Sequence, residues 1–151
     1  MPRVAIALGS NLGDRRRFLN EAAAALAAVV ADLRLSTFHE TDPVGVGAQP
    51  RFLNAAAIGR TTLEPADLLT VMLEIERRLG RDRPHAGAPR TVDLDLVLYG
   101  DVVLNEPDIV IPHPRFRDRG FVLEPLAEIA ADWVDPVSGR TIRELLQALQ
   151  A

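Results

Sequence analysis

Arg90-Thr91-Val92-Asp93-Leu94-Asp95-Leu96-Val97-Leu98-Tyr99 reads as a buried strand that carries two aspartates. Alternate residues of a strand face opposite sides, so Val92, Leu94, Leu96 and Leu98 are expected on one face and Asp93 and Asp95 on the other. At a rise of roughly 3.3 Å per residue the two aspartate Cα atoms stand about 6.6 Å apart, near enough for both carboxylates to converge on one cation or a pair of cations. The ordinary alternative is the solvated face of a half-buried strand. Val97 and Tyr99 continue the aspartate face with apolar groups, which predicts that this face is covered, and covered carboxylates need positive partners.

Composition limits those partners. The chain has 151 residues, the size of one domain, and is read as a single unit over 1–151. A formal charge of −4, with one Trp and one Tyr, argues against nucleic-acid binding through a broad basic face. With no cysteine there is no disulfide framework, thiolate zinc site or cysteine nucleophile, and a cytoplasmic protein is expected. "MPRVAIALGS" passes into an apolar strand without a signal-peptide pattern, and no apolar run reaches membrane-spanning length, so no membrane partner is expected.

All 17 basic residues are Arg, which excludes a Schiff-base lysine, a lysine general base and the phosphate-gripping lysine of a P-loop. His39, His85 and His113 do not pair at zinc-ligand spacing, and there is no G-x-S-x-G for a serine nucleophile.

Outward from the aspartate strand, residues 3–8 read as a buried strand ending in the turn "GSNLGD". Helical spacing of Phe18, Ala22, Leu26, Val29, Val30 and Leu33 predicts a helix from Asp14, its N-cap, to about Ala31. A strand is expected over 33–40, then a Pro- and Gly-rich loop "TDPVGVGAQPRF" and a third strand in "RFLNAAAIGRTT", whose alanines suit a helix equally well. Thr62 is expected to cap a helix with the stripe Leu68, Leu69, Met72, Ile75 and Leu79, stopping at Gly80. After the aspartate strand come a segment "IPHPRFRDRGFV", a turn at "DPVSG" and a last helix with the capping box Thr141-x-x-Glu144. The order strand, helix, strand, strand, helix, strand predicts an α+β fold with a ferredoxin-like βαββαβ core. Its sheet is antiparallel with helices on one face, and the core is extended at the C-terminus.

Arg81, Arg83 and Arg90 precede the aspartates, and Arg115, Arg117 and Arg119 follow them. Any one of these is ordinarily surface charge. Together with a D-x-D pair they match the needs of a polyphosphate with magnesium: carboxylates hold Mg²⁺, and guanidinium forks take the remaining oxygens.

The motifs "ALGSNLGD", "ETDPVGVGAQPRFLN", "EIERRLGRDR", "APRTVDLDLVLYG" and "IPHPRFRDRGFVLEPLAEIA", in this order over nearly the whole chain, resemble the 6-hydroxymethyl-7,8-dihydropterin pyrophosphokinases of folate synthesis. The resemblance implies transfer of the β,γ-diphosphoryl group of ATP to the pterin hydroxymethyl oxygen, release of AMP, and two Mg²⁺ ions. It implies that Asp93 and Asp95 hold the metals and that Asp93 also touches the pterin. Arg81 and Arg90 would grip the phosphates, with Glu76, Arg83, Leu96, His113 and Arg119 at ATP. Thr41, Pro43, Val44 and Asn54 would line the pterin pocket, with Phe52 and Phe121 stacked on its faces.

For both phenylalanines ordinary core is the alternative, for His113 a structural hydrogen bond, and for Glu76 a simple arginine pair. The chain departs from the family at "HAGAPR", where Arg and Trp are frequent, and residues 81–89 are expected to act as a mobile lid. A monomer acting on small molecules is expected. The competing readings are another Mg²⁺-dependent phosphoryl or nucleotidyl transferase, and a ferredoxin-like ligand-binding module without turnover.

Overall fold

The computed structural model describes residues 1–41, 51–80 and 91–151. Its centre is β1 (Arg3–Ser10), in which every residue after Arg3 is buried. Burial on both sides suits its near-continuous apolar sequence. β1 pairs antiparallel with β4 (Phe52–Arg60) on one side and with β5 (Asp93–Tyr99) on the other. β2 (Ala31–Leu35) and β3 (His39–Thr41) both pair with β4, and the sheet order is β2-β4-β1-β5 with β3 beside β4. The alanine-rich segment 52–60 is therefore a strand, because pairing along its length with β1 outweighs the helical preference of alanine.

The expected single strand over 33–40 is two short strands. Ser36 interrupts it: its N–H donates to the Ala56 carbonyl, and its hydroxyl accepts from the Ala56 N–H and donates to the Thr37 carbonyl, each at 2.8 Å. A serine hydroxyl competing for main-chain groups breaks the regular ladder there.

α1 (Arg15–Leu26) begins at the expected cap, Asp14 accepting from the Arg17 N–H at 3.2 Å. It ends before Ala31, because Ala31 is already paired with Arg60 in the sheet. α2 (Pro65–Gly80) buries Leu68, Met72 and Ile75 as its spacing predicts. It starts at Pro65, so Thr62 stands ahead of it and is not its cap. The Thr61 hydroxyl instead accepts from the Leu63 N–H at 3.1 Å.

α1 and α2 cover one face of the sheet, where Leu19, Leu26, Leu68, Met72 and Ile75 pack on Val4, Ile6, Leu8, Leu94 and Leu96. Helices are not confined to that face. α3 (Gly120–Ala130) and α4 (Ile142–Gln150) cover the other, with Leu123, Leu126, Ile142 and Leu145 packed on Ala5, Ala7, Ala56, Ile58, Val97 and Leu98. Sheet alanines facing helical leucines let the layers approach closely. The capping box forms as expected: the Glu144 N–H donates to the Thr141 hydroxyl at 3.1 Å, and the Thr141 N–H donates to Glu144 at 2.9 Å. Between β5 and α3 lie a hairpin of β6 (Leu104–Glu106) and β7 (Ile109–Ile111) and a 3-10 turn at Phe116–Asp118. The hairpin, the turn and α3 are additions to the sequence reading.

The aspartate strand is corrected in one respect. Ala5 pairs with Leu98 and Ile6 with Leu96, so Val97 is an extra residue, a β-bulge. A one-residue shift turns every later side chain over. Leu98 therefore joins Val97 on the aspartate face, and Tyr99 joins Leu94 and Leu96 on the other.

Candidate active site

Residues paired across neighbouring strands share a face, so the ladder registers give the floor of the site. Gly9 pairs with Asn54 on β4 and with Asp93 on β5, and Asn54 pairs with His39 on β3. His39, Asn54, Gly9 and Asp93 thus form one row across four strands. Ala56, Ala7 and Asp95 form the next, and Thr41 with Phe52 lies on the opposite side of the first. All stand on the face that α3 and α4 cover, toward the end where that covering stops. The expected burial of the aspartates is therefore incomplete: the Asp95 side chain remains 37% exposed. Along this face Val97 and Leu98 are buried among the residues of α3 and α4, while Asp95 lies where that cover gives way.

Asn54 is buried, and its amide donates to the Thr41 hydroxyl at 2.6 Å. In the sequence Gly9 reads only as part of a turn. A Cβ placed on it would stand 3.0 Å from Asn54 Oδ1 and 3.6 Å from the Phe52 ring. Its missing side chain keeps the floor between the amide, the ring and the first carboxylate low, and a glycine inside a strand is the sequence signal for such an approach. Phe52 and Phe121 are each half-buried, Phe121 at the start of α3 against the second core.

β5 is held from two sides around the aspartates. The Leu94 N–H, between them in sequence, donates to Glu76 Oε2 of α2 at 2.7 Å, and the His113 N–H donates to the Val97 carbonyl at 3.0 Å. His113 Nδ1 accepts from the Arg115 N–H at 3.1 Å. A neutral ring then carries its proton on Nε2, which lies 3.9 Å from Asp95 Oδ1. Burial pushes the His113 imidazole below its usual range, Arg119 and Arg115 push it the same way, and Asp93 opposes them. The guanidinium of Arg119 lies 5.4 Å from the centre of the Phe121 ring. Arg117, the middle member of the basic cluster, is committed elsewhere, to Asp135.

The structure thus gathers Thr41, Phe52, Asn54, Asp93, Asp95 and His113 on or beside β3, β4 and β5, with Arg119 acting on His113, Phe121 beside Arg119 and Glu76 behind β5, whereas the Leu96 side chain turns to the opposite face and packs in the core under α1 and α2. Pro43, Val44, Arg81, Arg83, Arg90 and the expected lid over 81–89 lie outside the described residues. Neither aspartate is without a partner. Among the described residues no group of three or more His, Cys, Asp or Glu could hold a metal. Two adjacent carboxylates without a complete protein cage fit Mg²⁺, which keeps waters and phosphate oxygens as its other ligands. No helix among the described residues is long and apolar enough to cross a membrane.

The family model described as 7,8-dihydro-6-hydroxymethylpterin-pyrophosphokinase matches residues 5–131. The chain is 43% identical over 144 residues to a 2-amino-4-hydroxy-6-hydroxymethyldihydropteridine pyrophosphokinase of Synechocystis, covering 94% of this chain and 73% of that one. It is 46% identical over 126 residues to the Bacillus subtilis protein of the same name, covering 82% and 75%. Against the Pseudomonas aeruginosa protein of that name it is 40% identical over 148 residues, covering 97% and 91%. Among solved structures, a Plasmodium falciparum HPPK-DHPS triple mutant superposes with a TM-score of 0.76 at 16% identity, a likeness of fold. That match takes in 97% of this chain and 44% of the longer one. With family motifs in order along the sequence and the D-x-D pair beside an amide-lined floor, the chain belongs to the 7,8-dihydro-6-hydroxymethylpterin-pyrophosphokinase family.

Proposed function

We propose that the chain transfers the diphosphoryl group of ATP to the hydroxymethyl oxygen of 6-hydroxymethyl-7,8-dihydropterin, giving AMP and the pterin diphosphate, on the site built from β3, β4 and β5. The observation that carries this reading is the row Asn54–Gly9–Asp93, which sets a low floor for a flat acceptor directly beside the carboxylate pair. The strand order β2-β4-β1-β5 with antiparallel neighbours supports reading the core as ferredoxin-like, with α3 and α4 as a C-terminal extension.

Asn54 and Thr41 would hold the polar edge of the pterin, and Phe52 and Phe121 its faces. Asp93 and Asp95 would hold Mg²⁺, which when bound neutralises charge on the phosphates. Arg81, Arg83, Arg90 and Arg119 would take the phosphate oxygens, with His113 beside the nucleotide and Leu96 able to reach it only through its main chain, its side chain being packed in the core. Phosphoryl-type transfer needs little covalent chemistry from a protein, so positioning and charge stabilisation by these groups are the contribution expected of the chain. Glu76 acts from behind by fixing the main chain between the two carboxylates. We place the protein in the cytoplasm as a monomer whose partners are its two substrates.

The test is formation of AMP and pterin diphosphate from ATP and the reduced pterin, with and without Mg²⁺. AMP that appears only when pterin and Mg²⁺ are both present supports the reading. Equal turnover with unrelated alcohols favours a transferase of other acceptor, and nucleotide binding without any AMP favours the ligand-binding module.

A further inference from the structure

Among the described residues, Arg117 and Asp135 form the most fully bonded ion pair outside the site. The Asp135 carboxylate has no solvent exposure. It accepts from Arg117 Nε at 2.5 Å and Nη2 at 2.9 Å, from the Val137 N–H at 3.0 Å, and from the N–H and hydroxyl of Ser138 at 3.3 and 2.6 Å. The turn around it is closed, the Asp135 N–H donating to the Arg140 carbonyl and the Gly139 N–H to the Asp135 carbonyl, both at 2.8 Å. Asp135 is therefore a rigid anchor, and a two-bond guanidinium fork fixes direction as well as distance.

Arg117 sits in the 3-10 turn Phe116–Asp118, two residues from Arg119, which ends that turn and starts α3. The Arg119 carbonyl accepts from the N–H groups of Val122 and Leu123, both at 3.0 Å, and its charge acts on His113. Three guanidiniums within five residues repel one another. Asp135 binds the middle one, leaving Arg115 and Arg119 as the charges that act on His113. A buried pair of this kind adds little stability over an apolar replacement, so its chief effect is on geometry.

We propose that Asp135, acting through Arg117, is a positioning residue for the nucleotide side of the site: it fixes the turn that aims Arg119 toward His113 and the aspartate face. The proposal rests on the functional reading above. It predicts that Asp135→Asn weakens binding of Mg²⁺ with a nonhydrolysable ATP analogue by about tenfold, a loss typical of a displaced contact, and changes pterin affinity by less than about twofold. Arg117→Lys should keep more nucleotide affinity than Arg117→Met. In an Arg119→Ala background, Asp135→Asn should add no further loss, because both changes remove the same contact.

Calorimetric titration of each variant, with circular dichroism to show that it is folded, provides the test. Unchanged nucleotide affinity in folded Asp135→Asn, equal weakening of both substrates, or additive losses with Arg119→Ala would overturn the proposal. Should Asp135→Asn not fold, Arg117→Lys against Arg117→Met carries the same decision, equal nucleotide affinity in the two being the negative outcome. If Arg119→Ala alone leaves nucleotide binding intact, the site reading fails at Arg119, a result separate from failure of the Asp135 role.

Discussion

The carboxylate of Glu76 accepts the main-chain N–H of Leu94 at 2.7 Å, so α2 grips β5 at the residue between Asp93 and Asp95. The bond fixes the main chain between the two carboxylates. Glu76→Gln keeps an acceptor oxygen and should retain most activity. Glu76→Ala leaves the N–H without its carboxylate partner and should cost about 1–3 kcal/mol of stability along with a lower kcat. Steady-state kinetics beside thermal melts separates this from a direct nucleotide contact, which predicts that Glu76→Gln alone raises the KM for ATP.

Gly9 stands between Asn54 and Asp93 in the sheet. Gly9→Val should block the floor next to the Phe52 ring and weaken pterin binding with little effect on the nucleotide. Phe52→Ala and Phe121→Ala should weaken pterin binding in the same selective way. If either phenylalanine is only core, the result is instead a stability loss on the order of 3–5 kcal/mol with normal pterin affinity. Paired calorimetry and melting experiments distinguish the outcomes, and normal pterin affinity in Gly9→Val would remove Gly9 from the pocket.

Asp93→Ala and Asp95→Ala should abolish turnover while the protein stays folded. Two carboxylates on one face repel each other, so in the absence of metal either substitution should leave the melting temperature unchanged or raise it. Near wild-type turnover at ordinary Mg²⁺ in either variant would dismiss the metal assignment.

The aspartate alternation, the two covering helices α1 and α2 and the last capping box could be read from residue spacing, because each depends on neighbours close in sequence. What could not be read depends on pairing at a distance. The bulge at Val97 arises where β5 meets β1, and only that register shows Leu98 turning to the aspartate face and Tyr99 away from it. α3 is not legible from spacing, because Pro125 lies inside it and breaks the pattern that announces a helix. The break between β2 and β3 needs Ser36 to find Ala56 across the sheet. The site shows the same division: Asp93 and Asp95 declare themselves by spacing, whereas the part played by Gly9 appears only when Asn54 and Asp93 flank it.

Asp135 also makes a prediction about acid. Burial pushes its carboxyl up, but the bonds from Arg117, Ser138 and Val137 outweigh burial and hold it at about 2, against an ordinary value of 3.8. A carboxyl depressed in the folded state stabilises the fold fully above its unfolded value and loses that contribution as pH falls toward the folded one. The window therefore runs from about pH 4 down to about pH 2, and the contribution at neutral pH is on the order of 2 kcal/mol. In denaturant titrations the gap between wild type and Asp135→Asn should be constant from pH 7 to about pH 5 and then close progressively on acidification. A gap of the same size at about pH 2.5 would mean that Asp135 stabilises the turn by its shape and hydrogen bonds alone, and that its charge is not what holds Arg117.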